Sequence, residues 1–138
     1  MAARFAYLPI ASGRGDAALM PVVPLQLRFK DNEPMQVHGL LDSGATVNVL
    51  PYGLGVRLGA VWEAQTTRVT LAGNLAAQEA RALLVEAQVS NFPLVSLVFA
   101  CTRSENVPLL LGQVNFFEEF DVCFHRSRRQ FEIEPARR

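Results

Sequence analysis

The chain of 138 residues is half hydrophobic and 19% charged, a composition that fits one folded domain and excludes a disordered tail. Thirteen basic side chains balance thirteen acidic ones, which excludes a general electrostatic pull toward nucleic acid or a membrane surface. Residues 1–10 lack the unbroken apolar core and small-residue cleavage site of a secretion signal, no apolar run nears the roughly 20 residues that span a bilayer, and a cytoplasmic location is expected.

No low-complexity linker or internal repeat interrupts the sequence. The expected organisation is a mobile N-terminal extension over 1–17 followed by a single domain over 18–138. Arg14-Gly15-Asp16 matches an adhesion tripeptide in composition and reads as part of that extension. A first strand is expected from Leu19 to Phe29, where Pro21 and Pro24 confine the early part to a sheet edge because proline cannot donate to a ladder. Lys30-Asp31-Asn32-Glu33-Pro34 is a polar turn, so Met35 to Leu41 returns as the partner strand of a hairpin.

Asp42-Ser43-Gly44 follows directly. An acid at the end of a buried apolar strand is costly to ionise without a partner, so Asp42 is the leading candidate for chemistry. Val47 to Leu50 resumes the sheet. Pro51 then opens a short helix over Tyr52 to Leu58 that Gly59 ends, although Gly53 and Gly55 weaken it. Thr66 to Leu71 alternates and is rich in β-branched residues, and Ala72-Gly73-Asn74 is a turn signal, which together suggest a hairpin tip.

Arg81 to Val89 and Leu94 to Cys101 are two further strands, separated by Ser90-Asn91-Phe92-Pro93. Val107 to Gly112 runs as a short strand into an amphipathic helix over Gln113 to Phe120, in which Val114, Phe117 and Phe120 recur at helical spacing. Asp121 to His125 and Gln130 to Ile133 finish the chain as a hairpin around Arg126-Ser127-Arg128-Arg129, a solvated basic turn. The fold class is all-β with small helices.

Other residue types give no further chemistry. Cys101 and Cys123 match no metal-ligand spacing and read as buried free thiols. His38 and His125 are isolated, and His38 reads as a partly buried structural histidine. Gly53, Gly55 and Gly59 do not form a dinucleotide loop, since no parallel strand-helix-strand unit surrounds them. Trp62, Phe116, Phe117 and Phe120 read as core or dimer contacts. No metal or other cofactor is expected.

Two segments resemble the retropepsin-like aspartic protease family, the single-domain relatives of retroviral proteases. Leu40-Leu41-Asp42-Ser43-Gly44-Ala45 followed by Val47 to Leu50 is similar to the family's active-site turn. Leu109-Leu110-Leu111-Gly112 with the helix after it is similar to the segment that packs beneath that turn, and 70 positions separate Asp42 from Gly112. The resemblance implies a closed β-barrel with one short C-terminal helix and a β-hairpin flap.

It also implies an aspartic endopeptidase in which two carboxyls share one proton and activate water by general acid-base catalysis. Only one such turn exists here, and Asp16, Asp31 and Asp121 lie in polar or helix-end contexts. The second Asp42 is therefore expected from another protomer of a homodimer. Ser43 would join the hydrogen bonds between the two turns, Gly44 would admit the substrate backbone, and Ala45 would keep the pocket floor small. Leu71, Ala72, Gly73 and Asn74 would form the flap over an extended, largely apolar polypeptide, while Leu110, Leu111 and Gly112 would support the turn.

One departure stands out. Retroviral enzymes typically carry an acid after Asp-Ser-Gly-Ala that pairs with an arginine after the distal glycine, and here those positions are Thr46 and Gln113. Losing both charges together leaves no buried unpaired ion. The alternative expectations are a catalytically inactive binding or dimerisation module on the same fold, and a structural β-barrel whose Asp42 only caps a turn.

Overall fold

In the computed structural model, which describes residues 1–11 and 17–137, the elements follow in a simple order. The first strands are β1 (Ala3–Ala6), β2 (Leu8–Ala11), β3 (Ala17–Met20), β4 (Val22–Arg28), β5 (Met35–Leu41) and β6 (Asn48–Leu50). After α1 (Tyr52–Arg57) come β7 (Arg68–Val69), β8 (Ala80–Val89), β9 (Val95–Thr102) and β10 (Leu110–Leu111). A single helical turn, α2 (Phe116–Glu119), leads into β11 (Phe120–His125) and β12 (Gln130–Pro135). Arg14-Gly15-Asp16 lies outside the described residues.

Six strands close into a barrel in the order β4-β5-β10-β6-β9-β8, with β8 pairing back onto β4. Closure removes the open edges that a sheet of this size would otherwise expose. The β4–β8 ladder begins only at Leu25 opposite Val89. Pro24 therefore sits where β4 has a free edge on that side, the position proline requires, and Pro21 immediately precedes the strand.

Alternation along the strands fills the barrel. Val23, Leu25 and Leu27 from β4, Leu83, Val85 and Ala87 from β8, and Phe99 from β9 are buried in one apolar cluster with Leu111 and Phe116. Each of the valine, leucine and phenylalanine side chains contributes about 1.5–3 kcal/mol by leaving water. A second, smaller cluster on the other face of the sheet joins Val49, Leu71, Ala80, Ala100, Val107 and Leu110. Gly59, with φ +99°, ends α1, a conformation that a Cβ makes costly.

Two small sheets flank the barrel, β1-β12-β11 and β2-β3. The domain was expected to start at residue 18; in the structure Ala3 to Ala6 pair with Ile133 to Gln130, and Arg4 bonds Glu132 across that ladder at 2.8 Å.

Three local expectations are corrected. The C-terminal helix is one turn rather than Gln113 to Phe120, because Gln113 and Val114 donate their N–H groups to the carbonyls of Ala45 and Thr46 instead of entering a helix. Phe116 and Phe120 are consequently the buried residues, while Val114 is half exposed. Cys123 is exposed, unlike Cys101, because alternation along β11 turns Phe120 and Val122 inward and Cys123 out. His38 is also exposed, since Val37, Gly39 and Leu41 take the inward face of β5.

Candidate active site

The turn after β5 is built by backbone chemistry that Asp, Ser and Gly suit. Parallel pairing sets Leu110 beside Leu40 and Leu111 beside Leu41, and the next rung has the Asp42 N–H donating to the Leu111 carbonyl at 3.0 Å. The Ala45 N–H donates to the Asp42 carbonyl at 3.0 Å, closing a four-residue turn. The Gly44 N–H donates to Asp42 Oδ1 at 3.0 Å, the local side-chain closure that aspartate favours in turns. Asp42 is left half-buried with its carboxylate oriented, and Ser43 and Gly44 are exposed.

Gly112 holds the turn from behind. A Cβ built there would lie 2.6 Å from the Val47 carbonyl oxygen and 2.8 Å from that of Ala45. Both are backbone atoms tied into the site, so no side chain fits. Gln113 donates its N–H to the Ala45 carbonyl at 2.9 Å and its Nε2 to the Ser43 carbonyl at 2.7 Å. A neutral amide thus braces the turn.

Two asparagines that the sequence reading passed over complete the support. Asn48 is fully buried. Its Oδ1 accepts from the Gly112 N–H at 2.8 Å, and its Nδ2 donates to the Val98 carbonyl at 3.0 Å and to Asn115 Oδ1 at 3.2 Å. Asn115 Oδ1 also accepts from the Val98 N–H at 3.0 Å, and its Nδ2 donates to the Ser96 carbonyl at 2.9 Å. The one signal available was a polar residue inside the apolar run Val47 to Leu50, since a buried amide must find partners.

Asp42 opens onto a cleft of about 580 Å³. Ala45, Val47, Val49 and Leu110, on the sheet side and here called its floor, line it together with the segment Thr70 to Leu75. That segment is carried by the hairpin in which Arg68 pairs with Arg81 and Val69 with Ala80. Leu71, Ala72, Gly73 and Asn74 all line the cleft with Asp42, Leu71 packing into the cluster beneath them. Gly73 has φ +63° with open space around it. Leu111 and Gly112 are buried behind the floor.

Among the described residues Asp42 is the only ionisable one that lines this cleft. Among the described residues no group of three or more His, Cys, Asp or Glu could hold a metal ion. No helix among them is long and apolar enough to cross a membrane.

No family profile matches the chain, and no curated protein does. Solved structures do. A retropepsin-like aspartic protease from Rickettsia conorii superposes with a TM-score of 0.62 over 96% of this chain and 91% of that one, at 12% identity. EIAV protease complexed with the inhibitor HBY-793 superposes with a TM-score of 0.54 over 72% of this chain and 86% of that one, at 15% identity. The chain has the retropepsin-like fold.

Proposed function

We propose that this protein is an aspartic endopeptidase that works as a two-fold homodimer, with Asp42 of each protomer meeting at a shared cleft. The observation that carries the reading is the cleft itself: among the described residues its sole ionisable group is Asp42, and that carboxylate is aimed by the Gly44 N–H. The residues beside it, Ser43 and Gly44, are exposed. A second copy seated there would cover them.

The chemistry explains why two copies are needed. One carboxylate cannot both accept a proton from water and donate a hydrogen bond to the scissile carbonyl. Two close carboxyls hold a single proton between them, because ionising both is costly. The ionised member takes the proton of a water as its oxygen attacks the carbonyl carbon, and the protonated member hydrogen-bonds the carbonyl oxygen. Transfer of a proton to the amide nitrogen then breaks the C–N bond. No covalent enzyme intermediate forms.

The substrate in this reading is an extended polypeptide lying between the floor and the Thr70 to Leu75 segment, with alternate side chains in the cleft. Val47, Val49, Leu71 and Leu110 favour apolar side chains there. Closure of the hairpin would exclude water from the reacting groups. Gln113 braces Ser43 without a charge, so the turn's support should be insensitive to salt.

Cleavage of a mixed peptide library between about pH 4 and about pH 7 tests the reading, with Asp42→Asn alongside. Wild type should cut and the variant should not. Equal behaviour of the two proteins would remove proteolysis and leave a binding module on this fold.

A further inference from the structure

We infer that the exposed apolar row formed by Val114, Val98 and Leu84 is a continuation of the cleft floor. It takes apolar side chains of the same polypeptide outside the segment that lies over Asp42. The occupant, though not the surface, rests on the peptidase reading.

Register fixes which residues share this face. Asn48 pairs with Phe99 and Val49 with Ala100, and Asn48 and Phe99 are fully buried on the barrel side. Pleat alternation turns Val49 and Ala100 to the opposite face, where they join the cluster with Leu110 and Leu71 under the cleft. Two residues back along each strand, Val47 and Val98 turn the same way. Val114 bridges to Val47, and Leu84 lies opposite Val98. The order across the sheet is therefore Val114, Val47, Val98, Leu84.

Exposure separates the two parts of that face. Val49 and Ala100 are each 2% exposed, whereas Val114, Val98 and Leu84 are 52%, 45% and 61% exposed. Single exposed apolar residues are ordinary on a protein surface, but a contiguous row leading out of a cleft is not. Val47 belongs to both parts, since it lines the cleft beside Asp42. Charge flanks the row on β8: two residues along the strand from Leu84, the next outward position is Glu86, opposite Ser96 and ion-paired with Arg28.

The row is also held rigid. Asn115 bonds the backbone of Val98 and Ser96 through its side chain, which substitutes for a neighbouring strand along that stretch of β9. A preorganised surface loses less entropy when it is covered. Neighbouring strands lie about 4.8 Å apart and an extended peptide rises about 3.3 Å per residue. About three residues of substrate thus reach from Val47 to Leu84.

The test uses binding to Asp42→Asn protein, so that it does not depend on cleavage. Three fluorescein-labelled probes alternate leucine and serine: a peptide of about eight residues, and two versions extended by about four residues at one end or the other. Fluorescence anisotropy should give one extended peptide about tenfold tighter binding than the short one. Leu84→Ser with Val98→Thr should abolish that advantage and leave the short peptide's affinity unchanged. Leu84→Met with Val98→Ile should retain it.

Extended peptides that bind no tighter than the short one would overturn the inference. So would an equal loss for all three probes, or a change of sedimentation with unchanged peptide affinities, which would make the row a contact between copies. If wild type binds the extended peptide in this way yet never cuts it, the peptidase reading falls and the row stands as a peptide-binding surface.

Discussion

Replacing Gly112 with alanine tests how the active-site turn is held. The added Cβ would sit 2.6 Å from the Val47 carbonyl oxygen and 2.8 Å from that of Ala45, so β10 or the turn must shift. Overpacking of this kind costs about 1–3 kcal/mol or more. A shift also strains the 2.8 Å bond from the Gly112 N–H to buried Asn48 Oδ1, and an unpaired buried group adds about 1–3 kcal/mol. The combined loss of about 2–6 kcal/mol is large beside the roughly 5–15 kcal/mol that holds a domain together.

Urea unfolding followed by fluorescence of the single tryptophan, Trp62, measures this directly. Gly73→Ala is the comparison, since Gly73 has φ +63° but no atom within 4 Å of a built Cβ. Its cost is the left-handed conformation alone, about 1–2 kcal/mol. If Gly112→Ala proves no more destabilising than Gly73→Ala, the account of β10 as a fixed brace is wrong.

Further outcomes follow from the same geometry. Gln113→Ala removes the 2.7 Å bond to the Ser43 carbonyl at an exposed position and should cost about 1 kcal/mol in urea unfolding; a loss above about 3 kcal/mol would mean a larger role than a brace. Asn115→Ala strips partners from Val98 and Ser96, so hydrogen exchange at the Val98 amide should quicken by about tenfold or more, and unchanged exchange would contradict the network. Burial pushes the Cys101 thiol up to about 11, leaving on the order of a thousandth as thiolate at about pH 8, whereas Cys123 is exposed. A thiol-exchange reagent should therefore titrate Cys123 quickly and Cys101 only on unfolding, and rapid reaction of both would refute the burial.

What the sequence made legible is what local chemistry decides. The Asp42-Ser43-Gly44 turn follows from residues that close turns on themselves, and β4, β5, β8 and β9 follow from apolar runs bounded by turn signals, whereas the alternating run Thr66 to Leu71 forms only the two-residue β7. The Ala72-Gly73-Asn74 signal falls in the connection between β7 and β8, where Gly73 takes φ +63° and the segment lines the cleft. The C-terminal helix was overestimated because the spacing of Val114 and Phe117 competes with the bonds from Gln113 and Val114 to the active-site segment. Nothing local announces such bonds. Asn48 and Asn115 were missed for the same reason: their partners come from other strands. The β1–β12 pairing was equally out of reach, since Arg4 and its partner Glu132 are 128 positions apart.

The central claim is that hydrolysis needs Asp42 from two copies, and subunit mixing tests it most directly. Wild type is incubated with increasing Asp42→Asn protein and the cleavage rate of a fixed peptide is followed. The account predicts that cleavage falls steeply as wild-type pairs are replaced by mixed pairs that hold one carboxylate. A rate that stays constant for a fixed amount of wild type, whatever the excess of variant, would contradict it.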